Sequence, residues 1–298
     1  MTVTNRLIGS MPISLRTLLL TSLTMIAFAA NSILGRLGLV ETEIGAGTFA
    51  GIRILSGAVI LALICHVQGR TLQGSWTGGL SLLAYAVCFS YAYIALPAGL
   101  GAIILFATVQ FTMLSWGFAQ GERLSALQSV GGVIAGLAFI WLLSPRLDAP
   151  PLWAAIAMMA AGIGWGVYSL RGRDVHDPTG ATAGNFVYAT VLAVPVLTLA
   201  VWLAPEPVPA LDGAGLAILS GAVTSGLGYV IWYQALKGLT ATRAGIAQLT
   251  VPAIAALGGI LFLSEPITWR FALASTAILL GVGLVVLTGS QGSSKAKG

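Results

Sequence analysis

Ten runs of about 20 or more mostly apolar residues, parted by breaks of a few polar ones, fill almost the whole chain. A membrane-crossing helix takes about 20 residues, so each run is read as one span. The spans lie at 16–39, 44–67, 74–95, 98–119, 125–144, 151–171, 181–203, 213–236, 242–263 and 269–288. They do not alternate polar with apolar residues, so barrel strands are excluded and helices remain. Only 8% of the 298 residues are charged, too few to solvate the surface of a soluble fold. A soluble enzyme, a nucleic-acid-binding module and a disordered chain are excluded on that ground. The expected fold class is all-α, a polytopic membrane protein with the lipid bilayer as its solvent.

Basic loop residues set the expected orientation. With the N-terminus in the cytoplasm, Arg6, Arg16, Arg70, Arg123, Arg171, Arg173, Lys237, Arg243, Lys295 and Lys297 fall inside. Arg36, Arg146 and Arg270 fall outside, and Arg53 lies within the second span. Both termini are then cytoplasmic. Trp141, Trp153, Trp202 and Trp269 sit near span ends, where aromatic belts form.

The chain also repeats itself. Gly121, Glu122, Arg123, Leu124 and Ser125 follow the fourth span; Ser264, Glu265, Pro266, Ile267 and Thr268 follow the ninth. The two glutamates stand 143 residues apart. Tyr93, Ile94, Ala95 and Leu96 match Tyr233, Gln234, Ala235 and Leu236. A repeat of that length holds five spans, and an odd number inverts the second copy. The expectation is two inverted five-helix repeats, residues 1–147 and 148–298, a plan typical of secondary transporters with a midplane site between the halves.

On these residues, with Ile52, Arg53 and Ile54 in the second span and Trp165, Gly166, Val167 and Tyr168 in the sixth, the chain resembles the drug/metabolite transporter superfamily, in particular its EamA-type ten-helix exporters. Among them it is most similar to the YddG-type aromatic amino acid exporters. It departs from the family pattern at Phe28, where many members carry Trp. The resemblance implies a bacterial inner-membrane exporter of amino acids, aromatic and other apolar ones first, working by alternating access. An exporter of drug-like organic cations or other small metabolites is the alternative. A channel is the alternative from another class, and the sequence has no charged ring or filter motif to favour it.

Polar groups deep in spans are costly and face protein or water. As substrate-binding candidates we take Asn31, Tyr85, Tyr91, Gln110, Trp165, Tyr168, Tyr229 and Gln248. Amides can donate to a carboxylate, and aromatic faces can hold an ammonium or an apolar side chain. The structural or gating candidates are Arg53, Glu122, Glu265, Pro195 and Pro252. Arg53 is expected to bridge carbonyls or a helix end, with an anionic substrate group as the alternative. The two glutamates are expected to cap backbone or pair with Arg, and the two prolines to kink their helices. Gly132 and Gly136, like Gly47 and Gly51, are spaced for close helix contact. No Asp, Glu or His lies deep in a span, so no buried carboxylate proton relay is expected. The same inventory lacks a catalytic constellation, so the protein is not read as an enzyme. No cofactor and no metal are expected, and a monomer can enclose a pocket for a small molecule unaided.

Overall fold

The computed structural model describes residues 14–120, 125–144, 149–172, 175–239, 244 and 247–292, with residues 286–292 described by backbone alone. Ten helices run through them: α1 Leu15–Glu41, α2 Ala46–Val67, α3 Trp76–Tyr93, α4 Ala98–Ala119, α5 Ala126–Leu143, α6 Leu152–Arg171, α7 Pro178–Leu203, α8 Leu211–Leu236, α9 Val251–Leu263 and α10 Trp269–Gly292. Seven are long and apolar enough to cross a membrane by length and composition alone. The protein is a polytopic helical membrane protein.

Helix starts are written locally. Ser14, Ser75 and Ser125 each accept a hydrogen bond from a backbone N–H three residues on, and Gln128 Oε1 in turn accepts from the Ser125 N–H to complete a capping box. Pro97, Pro151 and Pro178 stand at the entries of α4, α6 and α7, where a missing N–H costs nothing.

Nine of the ten expected spans coincide with α1–α8 and α10 to within three residues at their starts. The ninth is shorter: α9 begins at Val251, and Leu249 and Thr250 form a turn before it. Pro252 therefore sits at the second position of α9 and starts a helix rather than kinking one. Pro195 lies inside α7, which continues through it.

The helices pack as α5 on α10, α2 on α7, α4 on α9, α3 and α4 on α6, α8 and α9 on α1, α3 on α7, and α8 on α2. Replacing each helix number n by n+5 maps this set of pairs onto itself. α8 is an α-helix to Ile218, winds as a π-helix over Leu219–Leu227, and is an α-helix again from Gly228. Trp153, Trp202 and Trp269 are exposed at one end of the bundle, and Trp76 and Trp116 at the other.

Glycines decide how near the helices come. A Cβ on Gly131 would lie 2.6 Å from the Gly281 carbonyl, so these two residues form the α5–α10 crossing. Gly132 and Gly136, spaced for such a contact, have nothing within 4 Å of an added Cβ. They lie on the face of α5 turned away from α10. Gly131→Leu should therefore cost about 1–3 kcal/mol through overpacking and lower the unfolding temperature in detergent. Gly132→Leu should leave that temperature unchanged.

Candidate functional site

Arg53 lies about a third of the way along α2, 2% exposed. Its Nη2 donates to Tyr85 Oη at 2.8 Å, and Nε and Nη2 both reach Ser225 Oγ at 3.3 Å. The guanidinium lies over the rings of Phe89, 4.4 Å from its centroid, and Tyr85, 4.8 Å away. Such contacts offset part of the cost of burying a cation. The ion pairs among the described residues are Arg36–Glu265 and Arg70–Asp177, so no carboxylate there neutralises Arg53. Its Nη1 is buried with no hydrogen-bond partner.

Asn31 of α1 holds the other side of Tyr85. Its Nδ2 donates to Tyr85 Oη at 3.1 Å, while its Oδ1 accepts from Ser220 at 2.6 Å and Thr224 at 3.0 Å. An α-helix turns about 100° per residue. Ser225 would then point about 140° away from Ser220. The π winding of α8 places residues five apart on one face, which lets all three hydroxyls meet α1 and α2. The approach is close: a Cβ on Gly221 would overlap the Arg53 carbonyl and Ser56 Oγ.

Beside this network lies an aromatic cage. Phe28 meets Trp165, Tyr229 and Trp232 edge-on, each at 5.9 Å between centroids. Trp165 touches Tyr229 at 4.7 Å and Tyr85 at 5.2 Å. The rings enclose a cavity of about 10 Å³, room for a single water. Phe28, Asn31, Ser32, Tyr85, Phe89, Leu105, Phe106, Trp165 and Tyr229 line it. Glycines on α6 aim Trp165 there. Gly162 and Gly166 bring α6 against Thr108 and Thr112 of α4, and Gly164 brings it against the Ser81 carbonyl of α3.

A vestibule of about 310 Å³ opens at one end of the bundle, between the α2–α3 loop, the end of α6, the start of α7 and the end of α8. Tyr168, Arg171, Asn185 and Tyr233 are among its walls. Tyr168 stacks on Trp165 at 5.5 Å and 23°, so this pair separates vestibule from cage. The other end is sealed. Arg36 donates from Nε to Glu265 at 3.1 Å and from Nη1 to the carbonyls of Tyr93 and Ile94 at 2.9 and 2.8 Å. Glu265 also accepts from the Ala98 N–H at 2.8 Å. Ser264, with φ 52°, turns the chain so that the Glu265 N–H reaches the Gly259 carbonyl at 3.1 Å. Glu206 caps α2 through the N–H groups of Gly47 and Thr48, each at 2.8 Å, and the Thr48 hydroxyl at 2.7 Å.

An opening on one side, a seal on the other and a polar cage between them are what a carrier needs. The EamA-like transporter family matches residues 152–287, which spans α6 to α10. The chain belongs to the drug/metabolite transporter superfamily. An uncharacterized protein of Pseudomonas aeruginosa is 46% identical over 276 residues, 91% of this chain and 94% of that one. An uncharacterized transporter of Bacillus subtilis is 23% identical and covers 82% of this chain and 88% of its own. A probable amino-acid metabolite efflux pump of Escherichia coli is 24% identical over 67% of this chain and 74% of its own. A solved crystal structure with 18% identity aligns at a TM-score of 0.63 over 93% of this chain and 99% of that one.

In this transporter, Asn31, Tyr85, Trp165 and Tyr229 meet at the cage, and Tyr168 stands between cage and vestibule. Tyr91 is elsewhere, half-buried at the sealed end with its hydroxyl beside Gly47. Gln110 and Gln248 are half-buried and line neither cavity. Arg53 binds side-chain hydroxyls rather than carbonyls or a helix end, because Tyr85 and Ser225 reach it first. Glu122 lies outside the described residues. Phe28, Phe89, Ser220, Thr224 and Ser225 join the site without having been candidates, since isolated Phe, Ser and Thr are ordinary in membrane helices. Glu265→Ala should loosen the sealed end. A cysteine placed at Ser32, in a chain with Cys65 and Cys88 replaced by Ser, should then react several-fold faster with a water-soluble maleimide.

Proposed function

We propose that the transporter exports amino acids with apolar or aromatic side chains, through the cage, by alternating access. The observation that carries this is the composition of the cage: a wall of six aromatic rings beside a cluster of hydrogen-bonding groups on α1, α3 and α8. An apolar side chain suits the rings and a charged head suits the polar cluster. The similarity to a probable amino-acid metabolite efflux pump supports the same reading.

The chain works as two inverted five-helix repeats, residues 1–147 and 148–298. The exchange of helix pairs under n to n+5 supports this. So does the family match to α6–α10 alone. Tyr85 and Ser225, Phe89 and Tyr229, and Tyr93 and Tyr233 are each 140 residues apart. Arg53 thus bonds one hydroxyl from each repeat. The protein sits in a bacterial inner membrane with both termini in the cytoplasm, so the vestibule faces inward and the Arg36–Glu265 seal faces outward. A single chain suffices. The cargo moves down its gradient without a proton relay, since the polar groups that line the cage are hydroxyls and an amide, with no carboxylate among its lining residues.

In proteoliposomes, labelled phenylalanine and tryptophan should show saturable flux, and tetraphenylphosphonium none. Trp165→Ala and Asn31→Ala should each reduce that flux at least tenfold while the protein stays folded. An imposed proton gradient should not change the rate at a fixed cargo gradient. Flux of the lipophilic cation alone contradicts the reading.

A further inference from the structure

The Tyr85 hydroxyl has one proton and two lone pairs. Both acceptor positions are filled, by Arg53 Nη2 at 2.8 Å and Asn31 Nδ2 at 3.1 Å. No acceptor for its own proton occurs among the described residues, and Tyr85 lines the cage. A phenol that accepts from a guanidinium is polarised and becomes a stronger donor. Behind it stands a buried positive charge that, among the described residues, has no carboxylate paired to it and one nitrogen, Nη1, without a partner.

We infer that the cage receives its cargo by a carboxylate, bonded to the Tyr85 hydroxyl and drawn by the charge of Arg53. Arg53 is a positioning residue: Tyr85 and Phe89 lie between it and the cavity, and it acts through the Tyr85 oxygen. Ser225 keeps the guanidinium in the plane that serves Tyr85. Asn31 spends its oxygen on Ser220 and Thr224 and one of its two N–H groups on Tyr85, so it orients the phenol. The cargo class is therefore an aromatic or apolar carboxylate, zwitterionic or anionic. A compound with an amine and no carboxylate meets an unneutralised cation and is disfavoured. The inference rests on the cage being the cargo site.

The test compares three compounds with one body, L-phenylalanine, 3-phenylpropionate and 2-phenylethylamine, bound to the purified full chain in nanodiscs and read by quenching of tryptophan fluorescence. Wild type should bind both carboxylates at least tenfold more tightly than the amine. Tyr85→Phe keeps the ring and should reduce that preference to under threefold. Arg53→Lys should do the same, because a point charge cannot serve Tyr85 and Ser225 in one plane. If Arg53→Lys does not fold, Tyr85→Phe decides alone. A purely structural role would weaken all three compounds together and leave the preference intact, which overturns the inference. Amine binding equal to phenylalanine, binding by no probe, or chloride displacing 3-phenylpropionate at lower concentration than phenylalanine does each overturns it too. Carboxylate binding through Tyr85 without phenylalanine flux removes the amino-acid reading and leaves this inference standing. Phenylalanine flux with an unchanged preference in Tyr85→Phe does the reverse.

Discussion

A guanidinium buried inside a membrane bundle, with no carboxylate paired to it among the described residues, sets the terms for everything around it. A charged side chain at the centre of a membrane helix costs about 2.5–3.5 kcal/mol on insertion scales. Here the cost is offset by two hydroxyls and two ring faces, and these come from α3 and α8. Satisfying Arg53 therefore ties α2 to both. Tyr85 passes the connection to Asn31 on α1, and Asn31 returns it to α8 through Ser220 and Thr224. The π winding of α8 follows from the same demand, since a regular α-helix would turn Ser225 away from the other two hydroxyls.

The two ends of the bundle are built from different materials. The sealed end uses charge against backbone: Glu206 on the start of α2, Glu265 on the start of α4, and Arg36 on carbonyls at the end of α3. These contacts are directional and join segments far apart in sequence, so they can be made or lost as a set. The vestibule end has the exposed Arg70–Asp177 pair at its rim and, further in, small residues and stacked rings, with Tyr168 on Trp165 as the thin partition before the cage. A cage with room for one water must widen to admit cargo. Widening it requires the Phe28, Trp165 and Tyr229 edges to part, and these belong to α1, α6 and α8.

Much of the fold was legible because each span announces itself by length and apolarity, two properties that need no tertiary context. The ninth span was not, since Leu249, Thr250 and Pro252 turn and restart the helix inside an otherwise continuous apolar run. Tyr85 and Trp165 could be singled out as rare polar aromatics at membrane depth. Gln110 and Gln248 carried the same signal, yet they line neither cavity. Sequence marks an amide as expensive but does not say which face of the helix bears it. Ser225 was hidden for a different reason: it shares a face with Ser220 and Thr224 only where α8 winds as a π-helix, and α-helical periodicity turns it away from them. Gly132 and Gly136 had the spacing of a helix contact, whereas the crossing is one residue earlier, at Gly131.

The central claim is that cage, vestibule and seal form a carrier in which one end opens only when the other is closed. Counterflow tests this most directly. Proteoliposomes loaded with unlabelled phenylalanine, diluted into labelled phenylalanine at low concentration, should accumulate label transiently above its external level. A loaded cage that must be occupied to return efficiently produces that overshoot. Entry of label that rises only to the external level, with a rate proportional to concentration, would contradict the account and describe a pore.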